Sequence, residues 1–144
     1  MTTKEIAKAT IRLVEERLAQ YPIDKRTLEA WEQLSKEIAG RLPSSAANLG
    51  EVLAGEGLHG DPTLSKVIRL ERMAGRIDEV RWYVQAVDDV LDLLTPQERQ
   101  LVELRFFKGE SDTRVYQQLH IGKTKYYSMK RSVLLKFARR MGFL

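Results

Sequence analysis

Six hydrogen-bond donors fall within one short stretch near the C-terminus: Lys123, Thr124, Lys125, Tyr127, Ser128 and Arg131. None of the six side chains carries negative charge. Placed on one face of a helix, such a set can donate to base edges and phosphates in a DNA major groove. Catalysis has no comparable set. There is no cysteine, so no thiolate nucleophile, thiolate metal site or disulfide can form. The two histidines, His59 and His120, lie far apart, and no Gly-rich phosphate loop, nucleophile elbow or His/Glu metal spacing is present. The expectation is a protein that is not an enzyme and needs no cofactor or metal. His59, beside Gly60 in a polar stretch, is read as solvated and without a role.

The donors need a scaffold, and Ser111 to Arg131 supplies one: a short helix, a three-residue turn and a longer basic helix. Ser111 suits an N-cap, and Val115 and Leu119 lie four apart on one face. His120, Ile121 and Gly122 make the turn. Tyr126, Met129, Val133 and Phe137 continue an apolar face on the second helix. Two helices joined by a tight turn need such positions apolar, because they form the shared core that fixes the crossing angle. The donors then occupy the opposite face of the second helix.

Net charge is +4, but it is distributed unevenly. After Asp112 no acid appears, whereas Arg114, Lys123, Lys125, Lys130, Arg131, Lys136, Arg139 and Arg140 do, so residues 113–144 carry +8 and residues 1–112 carry −4 by subtraction. The asymmetry calls for a polyanionic partner at the C-terminal third. The 43% hydrophobic content, without any run of 18 apolar residues or a signal-peptide pattern, predicts a folded cytoplasmic protein in a bacterial setting with no membrane span.

The rest of the chain reads as helices, with no β pattern of any length, so the predicted class is all-α. Residues 1–62 are expected to form an N-terminal helical hairpin and linker. Thr2 and Glu5 have capping-box spacing, and Ala7, Ile11, Val14, Leu18 and Tyr21 form a stripe. Tyr21-Pro22 is expected to end this helix, because the residue before proline avoids the helical region. Asp24 would then cap a second helix, with Leu28, Trp31, Leu34, Ile38 and Leu42 inside and Leu42-Pro43 as its stop. Residues 43–61, rich in glycine and serine, read as a linker, with a short helix between Ala46 and Leu53. Residues 63–94 are expected to form one long connecting helix of about 50 Å at 1.5 Å per residue, starting with Pro62 at its first position. Leu70, Ile77, Val84 and Leu91 recur every seven residues, Val67, Ala74 and Val87 form a second row, and Arg81 interrupts the seam. Two uses of it stand open: a core helix clamped by the hairpin, or a dimer seam. Asp88, Asp89 and Asp92 are read as an acidic outer face. Residues 95–144 form the helix-turn-helix domain, whose first helix opens on Thr95-Pro96-Gln97-Glu98 as cap, first-turn proline and capping-box glutamate, and closes at Gly109.

Residues 94–144, LTPQERQLVELRFFKGESDTRVYQQLHIGKTKYYSMKRSVLLKFARRMGFL, resemble region 4 of bacterial sigma-70 factors. They are more similar still to phage late-transcription regulators of the ArpU and RinA type, through LTPQER, ELRFFKG and YYSMKRSVLLKFARRMG. The resemblance implies a regulator that binds double-stranded promoter DNA and works beside bacterial RNA polymerase, with a homodimer as the expected assembly. By position it implies Lys123, Thr124, Lys125, Tyr127 and Ser128 as base readers, and Arg114, Lys130 and Arg131 as phosphate contacts. Three positions depart from the usual helix-turn-helix pattern. Tyr116 stands where a small residue is common, His120 where glycine is common, and Gly122 where serine or threonine is common. Tyr116 has to swing aside, His120 has to accept a left-handed backbone, and Gly122 costs a few tenths of a kcal/mol as a cap. Two further readings remain beside the activator: a DNA-packaging protein like a phage terminase small subunit, and a polymerase-binding mimic of region 4 that reads no DNA.

Overall fold

A capping box starts the first helix. Thr2 N–H donates to Glu5 Oε2 at 2.8 Å and Glu5 N–H to Thr2 Oγ1 at 3.3 Å, and α1 then runs from Thr3–Arg41. It does not stop at Tyr21-Pro22, so the expected hairpin of two helices within residues 1–62 is replaced by one continuous helix with Pro22 inside it. Asp24 lies within α1 rather than capping a new helix. Interior proline costs about 3 kcal/mol. Val14 and Leu18 are both fully buried, and burying such side chains contributes about 1.5–3 kcal/mol each, enough to offset that cost. Tyr21 adds a ring stacked on Phe107, centroids 4.8 Å apart, and a hydroxyl that donates to Asp88.

The computed structural model describes residues 2–41 and 62–144. The expected linker at 43–61, the short helix at 46–53, Leu42-Pro43 and His59 lie outside the described residues. Among those described, every regular element is helical, and no helix is long and apolar enough to cross a membrane. Helix α2 spans Pro62–Leu93, with proline at its first position as predicted. Then follow α3 (Pro96–Val102), a π-helical turn (Glu103–Phe107), α4 (Asp112–Gln118) and α5 (Lys123–Arg140).

Contacts divide the chain into Met1–Asp24 with Trp82–Leu144, and Lys25–Arg81. The division falls inside α1 and α2, not at the predicted boundaries near residues 62 and 94. In the second unit Ile38, Val67 and Ile77 are buried, whereas Leu28, Trp31 and Leu34 of the expected inner face are half-buried and Ala74 is exposed. An ion pair of Lys66 with Glu37 joins α1 to α2 there. In the first unit the end of α2 is buried, with Val84, Ala86, Val87 and Val90 in the core, followed by Leu94 just beyond it. Both central members of the seven-residue row, Ile77 and Val84, are 5% exposed in a single chain. They serve the chain's own core, which leaves only the half-buried Leu70 and Leu91 for a dimer seam.

Thr95 starts α3 with both halves of the capping box, Glu98 N–H to Thr95 Oγ1 at 3.2 Å and Thr95 N–H to Glu98 Oε1 at 3.0 Å. The helix then widens, and Lys108 N–H donates to Glu103 O, five residues back, at 2.9 Å. This π-helical turn was not predicted. It buries Phe106 and sets Phe107 against Tyr21, and Gly109 closes it at φ +74°.

Candidate nucleic-acid interface

Ser111 caps α4 as expected, its Oγ accepting from Arg114 N–H at 3.3 Å. At the other end Ile121 N–H reaches back to Tyr116 O and His120 N–H to Gln117 O, each at 3.2 Å. That pattern is a Schellman closure, and its left-handed residue is His120 at φ +55°. Histidine thus takes the strained position, as the sequence requires. Gly122 caps α5 through its backbone conformation, without a side-chain bond. Tyr116 stays half-buried, its ring 5.7 Å from that of Tyr126.

The inner face of α5 is the predicted one. Tyr126, Val133 and Phe137 are fully buried, as is Val115 of α4. Leu119 and Met129 are only half-buried, because they lie at the edge of the contact. On the outer face Lys123, Thr124, Lys125, Ser128 and Arg131 are exposed, Tyr127 is 42% exposed, and Arg114 on α4 is exposed too.

Lys130 is not part of that surface. Its side chain is 13% exposed and its Nζ lies 3.0 Å from Asp112 Oδ1. The same oxygen accepts from Tyr126 Oη at 2.6 Å and Arg105 Nε at 2.9 Å. One carboxylate therefore ties the π-helical turn, α4 and α5 together, and the phosphate contact implied for Lys130 is corrected to a structural ion pair. Burial works to raise the pKa of Asp112. The hydrogen bonds from Tyr126, Lys130 and Arg105 and the charge of Lys130 outweigh it, holding the carboxyl below its ordinary value. Burial and that carboxylate push the Tyr126 phenol well above its own, so it stays a donor. The sequence did carry a signal: Tyr126 and Lys130 are one helical turn apart, and Asp112 is the last acid in the chain.

Two more of the eight basic residues are paired. Lys136 Nζ meets Glu98 Oε2 at 3.3 Å, and Arg140 meets Asp89 Oδ2 at 3.0 Å. Glu98 thus caps α3 and holds α5 at once. Burial raises its pKa, but the Thr95 N–H and Lys136 more than reverse that. Asp88 and Asp89 were expected on an acidic outer face. Instead Asp88 accepts from Tyr21, Asp89 holds Gln85 and Arg140, and only Asp92 is plainly exposed. Arg114, Lys123, Lys125, Arg131 and Arg139 have no carboxylate partner among the described residues. Neither a family model, nor a curated protein, nor a solved structure matches the chain.

Proposed function

We propose that this protein is a sequence-specific DNA-binding transcription regulator that leads with the first turns of α5 into the major groove. The observation that carries the reading is the exposed row Lys123, Thr124, Lys125, Tyr127 and Ser128, free of any carboxylate, at the N-terminal end of α5, which follows α4 across a short turn. Recognition helices present that end to base edges, and its dipole adds partial positive charge. Arg114 and Arg131 flank the row as phosphate contacts. The resemblance of residues 94–144 to sigma-70 region 4 and to ArpU- and RinA-type regulators supports a phage late-gene activator acting beside RNA polymerase in the bacterial cytoplasm. Since Ile77 and Val84 are buried within one chain, the binding unit is the single chain, not a dimer joined through α2.

Binding of a duplex followed by anisotropy across salt tests this. The five unpaired cations of residues 113–144, at about 0.9 each, contribute up to roughly −4.5 to the log–log slope, and selection from random duplexes should return a defined motif. A slope near zero overturns the reading. Binding without a motif, by a ring of copies, would point to the packaging protein instead, and polymerase binding without DNA affinity to the mimic.

A further inference from the structure

The start of α1 has no part in the helix-turn-helix, yet it borders it. Lys4, Lys8 and Arg12 follow one another at every fourth position, so they form one stripe, and all three are exposed. None has a carboxylate partner among the described residues. The capping box of Thr2 and Glu5 makes the backbone helical from the first of them onward. On other sides of the same helix Thr10, Val14 and Leu18 are buried, which anchors the stripe to the unit that holds α5. Lys4, Lys8 and Arg12 line a groove of about 580 Å³ together with Tyr127 and Arg131 of α5. Among the lining side chains Glu15 alone is acidic, set against those four cations.

We infer that Lys4, Lys8 and Arg12 form a second phosphate-binding strip, so that α1 and α5 grip one DNA duplex together. The inference rests on the proposed DNA binding and adds a contact from the part of the chain whose net charge is negative. Continuity selects the partner. The stripe carries on from Tyr127 and Arg131, where α5 leaves its donor-rich first turns, and a backbone rises on either side of any groove a helix enters. Residues four apart on a helix advance by about 6 Å, and phosphates of one strand by about 3.4 Å along the duplex axis. One cation for roughly every second phosphate fits a strip lying along the duplex axis.

The test is the full chain with Lys4→Gln, Lys8→Gln and Arg12→Gln together, compared with the parent on the same duplex. The salt slope should become shallower by about 2.7, three cations at about 0.9 each, with the selected motif unchanged. Replacing Lys4 and Lys8 by arginine should keep the parent's slope. Circular dichroism should be alike for all, since the three side chains are exposed. A parental slope in the folded triple variant overturns the strip while leaving α5 as the reader. A flat slope already in the parent overturns the DNA reading and the strip with it. If the triple variant keeps the parental slope and loses only affinity for a polyglutamate peptide, the strip serves an acidic protein segment and the inference is wrong.

Discussion

Tyr126 and Tyr127 are chain neighbours set about 100° apart around α5; their rings meet edge to face with centroids 5.2 Å apart, yet their exposure differs sharply. Tyr126 is fully buried, its hydroxyl bound to Asp112 at 2.6 Å, in line with Val133 and Phe137. Tyr127 is 42% exposed beside Lys123, Thr124 and Arg131. The basic residues divide the same way. Lys130, Lys136 and Arg140 hold α5 to acids of α4, α3 and α2, whereas Lys123, Lys125 and Arg131 have no carboxylate partner among the described residues. One helix thus joins a face that secures the domain to a face available to a partner. A cation's place in the sequence does not say which face it serves.

The sharpest break of this contrast is Tyr126→Ala. Emptying a buried aromatic site costs about 3–5 kcal/mol, so the melting temperature should fall by roughly 10 °C or more. Thermal melts of Tyr126→Ala and Tyr127→Ala side by side decide it. If Tyr127→Ala is the destabilised one, α5 is rotated by about a quarter turn.

Asp112→Asn should come next, at about 1–3 kcal/mol, because three donors lose a charged acceptor while the volume is kept. Asp112 titrates below its ordinary value in the folded chain. Its contribution is therefore complete above the unfolded value of about 3.9 and is lost as pH falls through the folded one. The difference in urea midpoint between parent and variant should be constant near neutrality and shrink below about pH 4. A difference that grows on acidification would mean the carboxyl is not held in its charged form.

The smallest effect sharpens the contrast among the lysines and tyrosines. Lys130→Ala should cost about 1 kcal/mol of stability and leave the salt slope of DNA binding unchanged. Tyr127→Ala should melt within about 0.5 kcal/mol of the parent yet bind DNA more weakly. Paired melts and anisotropy titrations read both quantities. A slope made shallower by Lys130→Ala would return that residue to the phosphate surface.

Much of the stretch from α3 to α5 was legible because its signals are local. A cap at Ser111, a capping box at Thr95, the turn at His120-Ile121-Gly122 and apolar residues one turn apart act over a few residues, and each has the form its residue type dictates. The π-helical turn was not legible. It depends on where Phe106 and Phe107 find packing, and Phe107 packs on Tyr21, far away in the chain.

What the sequence determined alone is the all-α class, the start of each helix from Thr95 onward, and the inner and outer faces of α5, since spacing fixes direction on a helix. Tertiary structure decided whether Pro22 ends a helix, because a penalty of about 3 kcal/mol is overridden when Val14, Leu18 and Tyr21 are buried. It also decided which cations are free. An ion pair such as Lys130 with Asp112 joins residues far apart in sequence, and no local pattern reports how closely folding brings two charges together.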